Sequence, residues 1–146
     1  MADRPDDDAA GLIEAGRASS DARDPSLSLR AAISNAMAGL KAKWYGKGPE
    51  RARTYLADDN VFVVMEGGLT TNEETLLAHG RGAIVRQYRL EFEETMRATA
   101  MQAVADLTGR AVLDYHSQIL FDPPRSLEWF VLGAPAGAGR GAAPGA

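Results

Sequence analysis

The chain has 146 residues, a formal net charge of −4 and no cysteine. Because cysteine is absent, disulfides, thiolate nucleophiles and thiolate metal sites are excluded. The longest apolar run, VFVVM at 61–65, is far shorter than the ~20 residues that a membrane helix needs. The sequence therefore predicts a soluble protein, and we expect it to be cytoplasmic.

The two ends of the chain differ in composition from its middle. Residues 1–26 hold seven acids and three arginines but only two sizeable apolar side chains, so this segment buries too little to offset its ordering entropy. Residues 133–146 are a Gly/Ala/Pro-rich tract with nothing to pack. We expect a disordered acidic leader, a single domain over 27–132 and a disordered tail. The domain is then nearly neutral, so its overall charge does not favour nucleic acid.

The domain begins with a helix and a hairpin. Apolar residues at three- and four-residue steps predict a helix over about 28–45, with Ser26 or Ser28 as its N-cap. The Gly-Lys-Gly-Pro run after it is expected to end it. Two β-branched and aromatic runs follow on either side of Asp58-Asp59, and they predict a β-hairpin.

Two helical segments come next. Thr70 or Thr71, each with a glutamate three residues later, predicts a capping box for a short helix, which Gly80 ends. A helical period over about 82–107, closed by Gly109, is interpreted as one long helix.

The long helix carries two further predictions. The spacing of Glu93 and Arg97 predicts an outward-facing ion pair. The apolar stripe is interpreted as facing the core, but a helix longer than a small sheet leaves one end free to contact another subunit. Homo-oligomerisation is therefore kept as a hypothesis.

A second hairpin closes the domain. AVLDYHSQILF and LEWFVL are expected to be its strands, joined by DPPRS at 122–126 with both prolines confined to the connection. The order α-ββ-α-α-ββ predicts an α+β fold, in which an antiparallel sheet of up to four strands is covered on one face by helices, including the long helix at about 82–107.

The residues give little support for catalysis. His79 and His116 are the only histidines, and neither has the spaced partners that a metal site needs. Asp58 and Asp59 are neighbours in the chain, so a turn is a better interpretation than an acid/base pair. We expect no catalytic residue, no metal and no cofactor.

The segment YGKGPERART at 45–54 contains glycines and cations in an order that suggests a phosphate loop. A helix precedes it, Lys47 is followed by glycine instead of Ser or Thr, and Pro49 removes a backbone donor, all of which disfavour a P-loop. We interpret the segment first as the end of one element and the start of the next.

Positive charge is nevertheless concentrated here, because residues 30–53 carry six cations against one acid, Glu50. The ordinary explanation is solvated cations at a helix C-terminus, where they complement the helix dipole. The alternative is a docking patch for an acidic partner, an anionic headgroup or a small anion, with the cations on a common outer surface. The candidate patch comprises Lys41, Lys43, Gly46, Lys47, Gly48, Pro49, Arg51, Arg53, Thr54 and Tyr55.

The sequence from GKGPERARTYLADDNVFVVMEGGLTTNEETLL through ADLTGR to the DP turn and EWFVL resembles the MpsC-like family over about residues 30–132. That family, formerly a domain of unknown function, is named for the C component of a Na+-translocating, membrane-potential-generating system. Of the patch residues, Gly46, Gly48, Pro49, Arg53, Thr54 and Tyr55 match its pattern.

The resemblance implies a non-catalytic accessory protein, cytoplasmic or peripheral to the inner face of the cell membrane. It implies a two-component membrane transport complex with an antiporter-like subunit as the partner, linked to bicarbonate or CO2 uptake. It supplies no catalytic residue. The alternatives are a stand-alone anion or nucleic-acid binding domain that uses the same cations, and an enzyme of unassigned chemistry.

Overall fold

The computed structural model describes residues 24–135. Its elements are α1 (Pro25–Tyr45), β1 (Arg51–Ala57), β2 (Asn60–Glu66), α2 (Thr71–Ala78), α3 (Gly82–Thr95), α4 (Arg97–Thr108), β3 (Arg110–Phe121) and β4 (Pro124–Pro135). Residues 1–23 of the predicted leader and 136–146 of the predicted tail lie outside the described residues. The first helix and the last strand each extend two or three residues beyond the predicted domain.

The four strands form one antiparallel sheet in the order β1-β2-β4-β3. Both predicted hairpins are present, and the β2–β4 pairing joins them into a single sheet. The predicted α+β class and element order are confirmed.

The two hairpin turns differ in how well the sequence predicted them. Asp58-Asp59 connects β1 to β2 with Ala57 opposite Asn60, as predicted, and Asp58 takes a positive φ of 51°. The second connection is shorter than predicted, because Phe121 pairs with Pro124. Pro124 therefore begins β4, a strand position where its missing N–H is tolerated.

The N-cap predicted for α1 is wrong. Asp24 caps the helix, and its Oδ1 accepts a 2.9 Å hydrogen bond from the Ser26 backbone N–H. Pro25 follows at the first helical position, where proline is favoured. At the other end Gly46 closes α1 with φ 75°, as predicted.

The capping box of α2 is confirmed. Thr70 Oγ1 accepts from the Glu73 N–H at 3.2 Å, and Glu73 Oε1 accepts from the Thr70 N–H at 2.9 Å. The predicted glycines also close their helices, since Gly80 and Gly109 have φ of 74° and 66°.

The predicted span 82–107 is helical, but Met96 divides it into α3 and α4. No glycine or proline marks this division in the sequence. Arg97, the first residue of α4, donates a 2.7 Å hydrogen bond to the Tyr115 backbone oxygen and pairs with Asp114. These contacts fix the start of α4 against β3.

The expected outward pair of Glu93 and Arg97 is wrong. Glu93 is buried, with 2 % of its surface exposed, because it lies on the face of α3 that covers the sheet. Arg97 instead pairs with Glu94 and Asp114.

Helices α1, α3 and α4 lie against one face of the sheet, and α2 packs against α3. The core lies between the helix layer and the sheet. Alternate residues of β2 turn towards the helices, and the neighbouring positions Phe62 and Val64 lie on the opposite, open face. The core cluster is drawn from both layers and includes Ile33, Met37, Val61, Val63, Met65, Ala100, Val104, Tyr115, Phe130 and Leu132.

Candidate functional site

The residues of the candidate patch divide between the interior and the surface. Lys41 and Thr54 are buried, with 4 % and 3 % of their surfaces exposed. Thr54 Oγ1 lies 2.7 Å from Ser34 Oγ and joins β1 to α1. The expectation that all six cations share an outer surface is wrong for Lys41, because a lysine on the inner face of α1 meets buried carboxylates.

Two glycines, Gly48 between α1 and β1 and Gly68 after β2, allow close packing. A Cβ on Gly48 would lie 3.2 Å from the Ala42 Cβ, and a Cβ on Gly68 would lie 3.2 Å from the Pro49 Cα. This geometry supports the interpretation of the segment as a helix end packed against the next turn.

Lys47 lies in an acidic setting. Its Nζ is 3.9 Å from Glu74 Oε1, and it lines a surface cavity of about 360 Å³ together with Glu50, Glu66 and Arg125. Three carboxylates at one cavity disfavour the binding of a small anion beside Lys47.

The remaining cations lie at different places on the surface. Arg30, near the start of α1, is 3.8 Å from Asp24, and Lys43 is exposed in the last turn of the same helix. Arg51, Arg53 and Tyr55 are exposed on β1. Because side chains alternate along a strand, these three lie on the open sheet face, opposite to buried Thr54.

A row of four aromatic or imidazole rings crosses the open sheet face. The strand register places Tyr55 beside Phe62, Phe62 beside Trp129, and Trp129 beside His116. The Phe62 and Trp129 rings are stacked, with centroids 6.0 Å apart, and the His116 ring is 5.2 Å from Trp129. We call these four residues the ring row.

Arginines border the ring row on the same face. The register places Arg53 opposite Val64, and Arg51 and Arg125 on either side of Glu66. Arg51, Arg53 and Arg125 are exposed, so this part of the face combines apolar rings with excess positive charge. The patch predicted from the sequence includes Arg51, Arg53 and Tyr55. The ring row was not predicted, because its formation depends on which strands are neighbours in the sheet.

The helix-covered face holds a closed set of polar contacts, which we call the buried ring: Lys41, Glu93, Tyr115 and Glu128. Lys41 Nζ contacts Glu93 Oε1 and donates to Glu128 Oε1 at 2.6 Å. Tyr115 Oη lies 2.8 Å from Glu93 Oε2 and 2.6 Å from Glu128 Oε2. None of the four residues is more than 4 % exposed.

Further polar contacts surround the buried ring. Tyr45 and Ser117 donate hydroxyl hydrogen bonds to Glu93 at 3.2 and 3.0 Å. The Arg89 guanidinium stacks 4.0 Å from the Tyr45 ring centroid. Arg89 also donates to both carboxylate oxygens of Glu73, at 2.5 and 2.6 Å.

The pKa values in this region follow from burial and from these partners. Burial lowers the pKa of Lys41, and the carboxylate of Glu128 opposes that shift. Burial and the nearby Glu128 both raise the pKa of Tyr115, so its hydroxyl keeps its proton. Burial acts to raise the pKa of Glu73, but hydrogen bonds from Arg89 and Thr70 outweigh it, so the pKa lies below its ordinary value.

The sequence contains a signal for the buried ring. Val85, Arg89 and Glu93 recur at four-residue steps on the buried face of α3, and Glu128 occupies a covered position of β4. Charged residues at core positions indicate either paired ions or a functional site.

The two histidines have ordinary partners. His79 Nδ1 lies 2.8 Å from the Thr75 backbone oxygen, and His116 Nε2 lies 2.9 Å from Asp114 Oδ2. Within residues 24–135, no group of three or more His, Cys, Asp or Glu side chains is placed to hold a metal ion. Across the same part of the chain, every helix is too short or too polar to cross a membrane.

A second exposed apolar region lies between α1, α2 and α3. Trp44, Tyr45, Ile84 and Tyr88 line a cavity of about 550 Å³ there, and Ile84 and Tyr88 are each about half exposed. These two side chains belong to the first half of the predicted long helix, so homo-oligomerisation through this end stays a prediction.

A family model described as "Na+-translocating membrane potential-generating system (MpsC)" matches residues 26–134. The match spans nearly the whole described part of the chain. A search of curated proteins found no match, and a search of solved structures found none either.

Proposed function

Because the chain belongs to the MpsC family, whose description names a Na+-translocating membrane potential-generating system, we propose that it is a non-catalytic accessory subunit of such a system. In this proposal it docks peripherally, from the cytoplasmic side, on a membrane-embedded partner. The partner is a transport complex with an antiporter-like subunit.

The observation that carries the docking proposal is the combination of Arg51 and Arg53 with the exposed ring row. Tyr55 and Trp129 are 46 % and 36 % exposed, although aromatic rings are usually more deeply buried. Aromatic and arginine side chains are enriched where interfaces bury their central contacts. The complementary surface is therefore acidic at its edge and apolar at its centre.

The two kinds of side chain contribute differently to docking. The arginines would attract an acidic partner surface and raise the association rate, an effect that salt weakens. The rings would supply most of the retained affinity, since they exclude water from the contact. Buried Lys41 and Thr54 take no part in the contact, so the proposed docking surface is smaller than the patch predicted from the sequence.

The proposal is tested by charge reversal on the open face. We expect R51E/R53E to lose co-purification with the membrane partner, while its melting temperature stays close to that of the wild type because both side chains are exposed. The matched control is R81E, which reverses an exposed arginine just before α3. Co-purification of R51E/R53E at the wild-type level would contradict docking through this face.

A role in inorganic-carbon uptake is the finer part of the proposal and rests on the family resemblance. Cells carrying R51E/R53E should then take up labelled bicarbonate more slowly than cells carrying R81E. Loss of partner binding with unchanged uptake would retain the accessory role and remove the link to bicarbonate.

A second candidate function is favoured by the ring row together with the arginines beside it. Exposed rings in a line, bordered by arginines, can stack bases and contact phosphates of single-stranded nucleic acid. Titration of Trp129 fluorescence in a W44F variant with oligo-dT at several salt concentrations separates the candidates, because neutralising phosphates gives a steep log-log salt slope. Absence of binding at low salt removes this candidate.

A further inference from the structure

The buried ring joins two glutamates on both sides. Lys41 contacts one oxygen of each carboxylate, and the Tyr115 hydroxyl contacts the other oxygen of each. Glu93 comes from α3 and Glu128 from β4. The helix layer and the sheet therefore meet at a pair of carboxyl groups that are almost completely removed from water.

The two contacts of the Tyr115 hydroxyl need one more hydrogen than this hydroxyl can supply. A tyrosine hydroxyl carries a single hydrogen and can donate to only one of the two carboxylates. The other oxygen–oxygen contact, at 2.6 or 2.8 Å, has the length of a hydrogen bond and needs a hydrogen of its own. That hydrogen belongs on a carboxyl oxygen, which then donates to Tyr115 Oη.

The charges of the buried ring also indicate one additional proton. Two ionised carboxylates beside one ammonium would leave a net negative charge in the core, where uncompensated charge is costly. One added proton makes the ring neutral.

The other charged groups near the buried ring form ion pairs with residues outside it. Arg89 of α3 is paired with Glu73 of α2, and Arg97 of α4 with Asp114 of β3. From α1 the ring meets Lys41 and the neutral hydroxyl of Tyr45, and from β3 it meets Tyr115 and the hydroxyl of Ser117. The β2 residue beside Glu128 is Val63, which carries no charge.

We propose that Glu93, Tyr115 and Glu128 form a buried proton-binding site, in which the two carboxylates share one proton through the tyrosine hydroxyl. The proton changes sides by a paired transfer. Glu128 gives its proton to Tyr115 Oη as Tyr115 gives its own to Glu93 Oε2, and the reverse transfer restores the first state. The number of protons and the net charge of the ring are unchanged by either transfer.

A route to solvent lies on the Glu93 side. A surface cavity of about 220 Å³ is lined by Glu93, Tyr115 and Ser117, with Glu94 and His116 also in its wall. Ser117 Oγ is 3.0 Å from Glu93 Oε2 and lines the same cavity, so its hydroxyl connects the buried ring to the cavity. In this proposal protons enter and leave the shared site from this cavity, on the Glu93 side of the buried ring.

Infrared spectroscopy of the folded wild-type chain tests the shared proton directly. We expect a protonated-carboxyl C=O band at neutral pH that shifts when glutamate is labelled with ¹³C. Both E93Q and E128Q should lose the band, since the remaining carboxylate then pairs one-to-one with Lys41. The control E91Q alters an exposed glutamate of α3 and should keep it.

Stability as a function of pH gives a second test. If the folded ring holds one proton that the unfolded chain releases above the ordinary glutamate pKa of ~4.3, the wild type binds one more proton than its unfolded state. Its unfolding constant relative to that of E93Q should then rise about tenfold per pH unit above that value, until the ring loses its proton. E91Q should run parallel to the wild type.

The infrared result on the wild type decides the proposal even if a variant fails to fold. A folded wild-type chain without a glutamate carboxyl band at neutral pH would overturn it. Parallel pH profiles for wild type and E93Q would overturn it as well.

Discussion

Arg89 and Glu73 form a two-point contact in the interior, with guanidinium Nε and Nη2 donating to the two carboxylate oxygens at 2.5 and 2.6 Å. Both residues are at least 94 % buried. Arg89 also donates to the Gly68 backbone oxygen at 3.0 Å, so this arginine joins α3 to α2 and to the turn after β2. Glu73 completes the capping box of α2 as well.

The first prediction follows from removing one partner of this contact. R89M should lower the free energy of unfolding by about 3–5 kcal/mol, because Glu73 is left as an unpaired buried charge. Urea denaturation measures the change. The double variant R89M/E73Q should recover part of the loss, and a recovery of zero would mean that the arginine acts mainly through packing.

The same contact predicts an acid response. The folded pKa of Glu73 is lowered, so its contribution to stability is present above the unfolded value of ~4.3 and is lost as the pH falls through the folded pKa. Wild type and E73Q should therefore converge in stability towards low pH. A stability difference that is constant from pH 7 to pH 3 would contradict this.

The sequence predicted elements well where local chemistry decides them. The Thr70 capping box, the closing Gly46 and the Asp58-Asp59 turn depend on neighbours in the chain, and all three are present. The division at Met96 was not predicted, because contacts from Arg97 to a distant strand accompany it. No local signal marks it.

In the candidate site too, features that depend on contacts between distant parts of the chain were not predicted from the sequence. The cation-rich segment is visible in the sequence itself. The burial of Lys41, however, depends on Glu93 and Glu128, which are 52 and 87 residues away in the chain. The ring row is likewise set by the insertion of β4 between β2 and β3. Proximity that arises only from strand order cannot be inferred from residue spacing.

The third prediction concerns Lys41. K41M should destabilise the fold by about 3–5 kcal/mol, since two carboxyl groups lose their common cation, whereas K43M at an exposed position of the same helix should change stability by less than about 0.5 kcal/mol. Denaturant unfolding compares the two. Equal effects would place Lys41 outside the core.

The fourth prediction concerns the contact between Thr54 and Ser34. T54V should lower the free energy of unfolding by about 1 kcal/mol, because it removes the hydroxyl that forms a 2.7 Å hydrogen bond with the Ser34 hydroxyl. T54S keeps the hydroxyl and should retain more stability than T54V. If T54S were the less stable variant, packing of the methyl group would outweigh the hydrogen bond.

The last prediction uses two glycines of one helix region as a matched pair. Gly39 lies inside α1 with open space around its Cα, whereas Gly46 has the positive φ of 75° that closes the helix. G39A should raise the free energy of unfolding by about 0.5–1 kcal/mol through helix propensity. G46A should lower it by about 1 kcal/mol, because alanine is strained at that φ. Thermal unfolding of both variants should give shifts of opposite sign, and shifts of the same sign would contradict the assignment of Gly46 as the left-handed cap.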